Sequence, residues 1–261
     1  MPEGDTLFRT AAGLRPYLVG RDVVAARTQG PGPVPQVGRI IGRRIDAVES
    51  QGKNLLIRFD GGLELRTHLR MNGSWHRYRP GERWRRPPAR ARLVLEVDGS
   101  VAVCFDAPVV ELFETRAESV HPSLSRLGPD LLADDFDPAE AIRRLRDPAR
   151  RDLSISAALL DQRALAGIGN IWRNETLFVE RVSPSTVVGA LDDETLSRLV
   201  ATARRLLVAS VATAPGRRSY AVYRRAGRPC PRCGTVIRSR PADQAVPRTT
   251  YWCPTCQGGG P

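Results

Sequence analysis

The chain has 261 residues, 41% of them hydrophobic, which is enough for two modest domains or for one domain with an appendage. No stretch approaches the roughly 18 consecutive apolar residues of a membrane span. Glu3 and Asp5 stand where a secretory leader would be basic, so a folded protein of the cytoplasm with no membrane partner is expected. The formal charge of +12 is carried almost wholly by arginine, whose planar fork suits phosphate, and it points to an acidic polymer as partner, although a GC-rich genome would also raise the arginine count.

Taken in chain order, residues 1–20 read as a helix, because Leu7, Ala11, Leu14 and Leu18 fall at helical spacing and Asp5 can cap its start. From Val23 to Phe105 the period becomes two. Leu55, Ile57 and Phe59 turn through Asp60-Gly61-Gly62 into Leu63, Leu65, Thr67 and Leu69, and Leu93, Leu95 and Val97 turn through Asp98-Gly99 into Val101, Val103 and Phe105. Such hairpins predict a β-sandwich, with the Arg-, Pro- and Trp-rich stretch 77–92 as a surface loop between them. Beyond Gly128-Pro129 the strand pattern stops. Asp137-Pro138-Ala139-Glu140 supplies an N-cap, a first-turn proline and a capping-box glutamate, and Leu196, Leu199, Val200, Ala203, Leu206, Leu207 and Val211 mark a later amphipathic helix that Pro215-Gly216 should end. A basic linker with Arg217, Arg218, Arg224, Arg225 and Arg228 follows.

Cys230-Pro231-Arg232-Cys233 and Cys253-Pro254-Thr255-Cys256 form two Cys-x-x-Cys knuckles whose four thiolates can close a tetrahedron around Zn²⁺. Two disulfides would need an oxidising compartment, to which nothing in the sequence points. A closed Cys₄ set keeps no open coordination position, so one structural zinc per chain is expected, holding a short hairpin. Arg248, five residues before Cys253, is the arginine expected on a phosphate, with Arg232, Arg238 and Arg240 as general surface charge; Cys104, the fifth cysteine, falls in a strand as a buried small hydrophobe.

At the other end, removal of Met1 would expose Pro2 as a secondary amine able to attack an aldehyde carbon, with Glu3 beside it to give and take a proton. Pro2-Glu3-Gly4-Asp5 together with Tyr251-Trp252-Cys253-Pro254-Thr255-Cys256-Gln257 resembles the formamidopyrimidine-DNA glycosylase and endonuclease VIII family. Leu159–Ile171, with Gly167-Ile168-Gly169-Asn170, resembles its helix-two-turn-helix, where two glycines allow a tight turn and the Asn170 amide should face outward at a helix start as an anion site. Gln51-Gly52-Lys53-Asn54 resembles the family's lysine-bearing turn, which implies that Lys53 touches a phosphate beside the lesion. His68–Ser74 resembles the loop that fills the gap left by an extruded nucleotide; Met71 there is either a wedge between bases or a core residue at a strand end.

The resemblance implies an α+β multidomain fold: an N-terminal catalytic β-sandwich domain with a flanking helix over 1–128, a helix-two-turn-helix DNA-binding domain with the basic linker over 129–228, a zinc-finger hairpin over 229–257, and a disordered tail over 258–261. It implies a monomeric base-excision-repair glycosylase and AP lyase acting on double-stranded DNA with damaged bases or abasic sites, at the bacterial nucleoid, with Pro2, Glu3, Lys53 and Arg248 catalytic and Lys53, Met71, Asn170 and Arg248 binding DNA. The implied reaction is base loss to a proline Schiff base followed by β,δ-elimination. Pro-Glu-Gly and Tyr-Trp-Cys-Pro lean toward endonuclease VIII of actinobacteria and so toward oxidised pyrimidines. The chain departs from the pattern in two places: many relatives carry a second acid where Thr6 stands, and Phe105–Val110 holds no Arg-x-Phe. A non-catalytic damaged-DNA-binding protein would share every phosphate and zinc signal, and only Pro2-Glu3 discriminates it from an enzyme.

Overall fold

The computed structural model describes residues 2–30, 35–213, 218–241 and 248–258, and the chain forms two compact units, 1–126 and 127–261. Met1, the expected helix stop at Pro215-Gly216, Arg217 of the linker and residues 259–261 of the tail lie outside the described residues.

In the first unit α1 (Gly4–Leu18) precedes eight strands: β1 (Val23–Thr28), β2 (Ile45–Gln51), β3 (Asn54–Phe59), β4 (Leu63–His68), β5 (Ser74–Tyr78), β6 (Ala91–Val97), β7 (Ser100–Phe105) and β8 (Val109–Glu114). They pair into two antiparallel four-stranded sheets, ordered β1-β6-β7-β5 and β2-β3-β4-β8. Leu7, Ala11, Leu14 and Leu18 of α1 join Leu55, Ile57, Leu65, Leu93, Leu95 and Cys104 in one buried cluster, so the helix and the inward faces of both sheets share a core. Each fully buried leucine contributes roughly 1.5–3 kcal/mol by leaving water. Burial also pushes the Cys104 thiol up, which suits an inert packing residue.

Two local expectations need correction. Asp5 does not cap α1: Glu3 is the N-cap residue, its carbonyl receiving the amides of Thr6 and Leu7 at 2.9 and 3.1 Å, and Asp5 lies buried inside the first turn, 3.9 Å from Arg9 one turn on. The expected loop 77–92 is shorter, because Arg77 and Tyr78 extend β5 by pairing with Ala102 and Val101, and Ala91 and Arg92 already belong to β6.

The second unit carries α2 (Pro138–Leu145), α3 (Ile155–Ala158), α4 (Asn170–Val179), α5 (Asp193–Ala212), β9 (Arg238–Arg240), β10 (Thr250–Trp252) and α6 (Pro254–Gln257). Asp137 caps α2, its carboxylate accepting from the amides of Ala139 and Glu140 at 2.8 and 3.2 Å. Glu140 does not complete the capping box, since its carboxylate is held by Arg143 and Arg144 one turn on at 2.6 Å each. Leu159, Leu165, Ile168, Leu177, Leu196, Leu199 and Leu207 make the helical core. The cysteine hairpin packs on α4, with Phe178 beside Cys230, Ile237 and Cys253.

Candidate nucleic-acid interface

Strand register in the first unit gathers three connections at one end of the second sheet. Asn54 lies opposite His68, and His68 opposite Val109, so the turn 51–54, the loop 69–73 and the turn 106–108 stand side by side. The latter two also cross between sheets, since β5 and β7 belong to the other sheet and pair there through Ser74 and Phe105.

Lys53 sits in the two-residue turn between β2 and β3, half-buried. The turn is braced from below: the Asn54 amide donates to the Gln51 carbonyl at 2.9 Å, buried Arg66 donates to Asn54 Oδ1 at 2.9 Å, and Arg66 reaches Glu111 at 2.5 Å. His121 Nε2 stands 3.2 Å from that same carboxylate. Burial and then the charges of Arg66, Arg70 and Lys53 lower the His68 pKa to about 4, so the imidazole is neutral, and its Nδ1 accepts the Arg70 amide at 3.1 Å.

Met71 rides on a tight turn. The Gly73 amide donates to the Leu69 carbonyl at 2.9 Å, and a Cβ on Gly73 would lie 2.6 Å from that oxygen, so only glycine fits. Leu69 is buried as the anchor while Met71 is 53% exposed, which settles its place as a loop tip and not a core residue. Beside it, Asp106 takes φ +53° and gathers Arg86 at 2.6 Å and Arg90 at 2.8 Å; burial would raise its carboxyl, but these two guanidiniums hold it below the usual range.

Pro2 is half-buried and Glu3 fully buried, immediately before α1. The Glu3 side chain makes no capping hydrogen bond to the helix.

In the second unit the turn entering α4 is filled by Gln162, whose amide donates to the carbonyls of Leu160 and Ile168 at 3.0 Å while its oxygen accepts the Gly167 amide at 3.1 Å, with Gly167 at φ +92°. The expected outward Asn170 amide is not found. Asn170 is 7% exposed; its Nδ2 donates to the Thr249 carbonyl at 3.1 Å, and its Oδ1 accepts from Arg173 at 2.6 Å. The reason is the hairpin itself, whose unpaired backbone groups need partners. Arg173, with no exposed surface, donates to the Thr249 carbonyl and the Thr250 hydroxyl at 3.1 and 3.2 Å, and Asn174 Oδ1 accepts the Tyr251 amide at 2.9 Å. One residue on, Glu175 receives the amides of Ala221, Val222 and Tyr223 at 2.8 to 3.0 Å. Asn170 thus seats the residue next to exposed Arg248. Sequence reasoning missed Arg66, Arg173, Asn174 and Glu175; the one available signal was a run of three polar residues inside a helix with apolar neighbours on both sides.

The four cysteines come together with all sulfurs within 4.8 Å, and the Cys230–Cys256 and Cys233–Cys253 pairs are 3.9 and 3.5 Å apart. Tetrahedral zinc with Zn–S near 2.3 Å needs sulfur separations of about 3.8 Å, so the set fits. No disulfide joins them. The Arg232 and Cys256 amides donate to the Cys230 and Cys253 sulfurs at 3.4 and 3.5 Å. Arg232 is exposed, as expected of surface charge, and it also lies 4.4 Å over the Phe178 ring and donates to the Phe178 and Val179 carbonyls, closing the C-terminus of α4. Arg238 and Arg240 are exposed.

Residues 1–108 match the formamidopyrimidine-DNA glycosylase N-terminal domain, and residues 127–220 match the formamidopyrimidine-DNA glycosylase H2TH domain. The chain is 42% identical to the probable endonuclease 8 2 of Streptomyces coelicolor, over 99% of this chain and 95% of that protein. It is 38% identical to the DNA-(apurinic or apyrimidinic site) lyase Nei2 of Mycolicibacterium smegmatis, over 98% and 99%. Among solved structures it resembles the MutM (Fpg) protein of Thermus thermophilus with TM-score 0.84 and 31% identity, covering all of both chains. In its β-sandwich, its H2TH domain, its four-cysteine cluster and these likenesses, the chain belongs to the formamidopyrimidine-DNA glycosylase and endonuclease VIII family.

Proposed function

We propose that this protein is a DNA glycosylase and AP lyase of base excision repair that removes oxidised pyrimidines through the amine of Pro2. The observation that carries the reading is full-length likeness, at 38% identity, to a protein named as an abasic-site lyase, in a chain that keeps Pro2-Glu3 directly before its first helix.

Removal of Met1 frees the Pro2 nitrogen. Its lone pair forms the bond to C1′ as the glycosidic bond breaks; the base leaves with the electron pair of that broken bond and takes up the proton that the Pro2 nitrogen sheds. Glu3 protonates the sugar ring oxygen, the C1′–O4′ bond opens, and an iminium links Pro2 to the sugar. The iminium acidifies the C2′ proton; its loss expels the 3′ phosphate, and a second elimination expels the 5′ phosphate, leaving a one-nucleotide gap with phosphate at both ends. Lys53 and Arg248 take backbone phosphates, Met71 enters the space of the extruded nucleotide, and Asn170 serves by holding the Thr249 carbonyl beside Arg248. Cys230, Cys233, Cys253 and Cys256 would hold a structural Zn²⁺ that takes no part in the chemistry.

Borohydride trapping tests the amine chemistry. Untagged protein incubated with a duplex containing one abasic site, then reduced, is expected to give a covalent adduct that maps to Pro2. Tight binding with Met1 absent and no adduct would overturn the reading.

A further inference from the structure

We infer that the connection between β5 and β6 is a second DNA-contacting element, whose arginine pocket takes backbone phosphates of the duplex outside the lesion; this rests on the DNA reading above. Residues 79–90 hold five arginines and one glutamate. Arg83 and Arg85, with Arg27, Glu82, Trp84, Arg86 and two prolines, line a cavity of about 720 Å³.

The connection is held in place by aromatic packing. Trp84 stacks on Tyr78 at 6.1 Å and meets Phe105 edge-on at 5.8 Å, on the outward face of the sheet β1-β6-β7-β5, and the Arg85 amide donates to the Tyr78 hydroxyl at 3.0 Å. Glu82 is occupied by the Arg79 amide at 2.9 Å. Arg86 joins this element to the interface: one nitrogen donates both to the Asn72 carbonyl, in the Met71 loop, and to Asp106. The arginine track therefore begins at the edge where the three connections meet and runs out along the sheet face to Arg83 and Arg27.

Arg83 and Arg85 are exposed, and among the described residues neither guanidinium is paired with a carboxylate. Arg27 and Arg86 are paired with Glu96 and Asp106, so Arg83 and Arg85 are the charges left in the pocket without a carboxylate, and folding gives no return for placing them there, whereas a polyanion does. Exposed guanidiniums grip a small anion weakly in water; on a nucleic acid each one displaces condensed counterions, so the pocket chemistry favours a polymeric phosphate over a metabolite. Two fixed prolines beside the arginines reduce the ordering entropy of that contact.

The test compares full-length wild type with Arg83→Gln/Arg85→Gln on two abasic-analogue duplexes, one trimmed close to the lesion and one extended by a helical turn on each side. Wild type is expected to bind the extended duplex more tightly, and the double variant to lose that gain, with its log Kd against log salt slope reduced by about 1–2. Arg21→Gln/Arg116→Gln removes the same charge from exposed arginines elsewhere on this unit and should keep the wild-type slope. Equal slopes for wild type and the Arg83/Arg85 variant, or equal losses in both double variants, would overturn the proposal while leaving the enzyme reading intact. Failure of wild type to trap on abasic DNA would instead overturn the reading beneath it.

Discussion

The two units hold their interface residues by different means. In the first, position follows mainly from strand register: once Asn54, His68 and Val109 are aligned, the lysine turn, the methionine loop and the Asp106 turn arrive together, and the Arg66 bracket to Asn54 and Glu111 only secures the first of them. In the second, position follows from buried hydrogen bonds, because Asn170, Arg173 and Asn174 hold the 249–251 backbone, and the cysteine cluster folds the hairpin they grip. A register-built site tolerates changes at single side chains on its surface. A site built on buried polar groups does not, since each lost partner leaves another group unsatisfied at roughly 1–3 kcal/mol.

The largest expected effect separates chemistry from grip. Glu3→Gln should retain binding to an abasic-analogue duplex but lower single-turnover strand cutting by about 10²- to 10⁴-fold, the range for a positioned proton donor. Comparable loss of binding and cutting would place Glu3 in the fold of α1 instead. Next in size is zinc. Purified protein should carry one zinc per chain by emission spectroscopy, and chelation, or Cys253→Ser, should weaken DNA binding by roughly 10- to 150-fold, a charge-assisted contact of about 1.5–3 kcal/mol at Arg248, while the melting of residues 1–126 stays unchanged. If hydrogen exchange showed the first unit loosening as well, the contrast between the two would fail.

The smallest effect concerns acid. His68 has its pKa lowered from 6.5 to about 4 by burial and neighbouring cations, so the folded state binds its proton later than the unfolded chain does. Its contribution to stability is complete above pH 6.5 and is lost as pH falls toward 4, about 1–2 kcal/mol after allowing for partial exposure. Denaturant unfolding between pH 7 and 4.5 should show His68→Gln losing less stability than wild type, and parallel curves would mean that the imidazole is not held neutral.

The hairpins through 60–62 and 98–99 were legible because alternation and turn residues are local signals. The pairing of β1 with β6 and of β4 with β8 was not, since a period of two tells which face a residue occupies and not which strand lies beside it. The cysteine cluster was legible from spacing alone. Asn170 was misread for the opposite reason: its partner, Thr249, is 79 residues away, and nothing near the helix start announces it. Arg66 falls between Leu65 and Thr67 of the alternating pattern, with no signal of burial, yet β4 lies between β3 and β8 and the side chain is covered and bridged to both neighbours.

The grip of α4 on the hairpin also sets an order of manufacture. The Thr249 carbonyl, the Thr250 hydroxyl and the Tyr251 amide leave the ribosome 76 to 77 residues after Arg173 and Asn174. Until that segment arrives, Arg173 and Asn174 lack these partners and the knuckle of Cys230 and Cys233 lacks Cys253 and Cys256. The hairpin and the polar grip of α4 on it are therefore completed only after the whole of the first unit has been made.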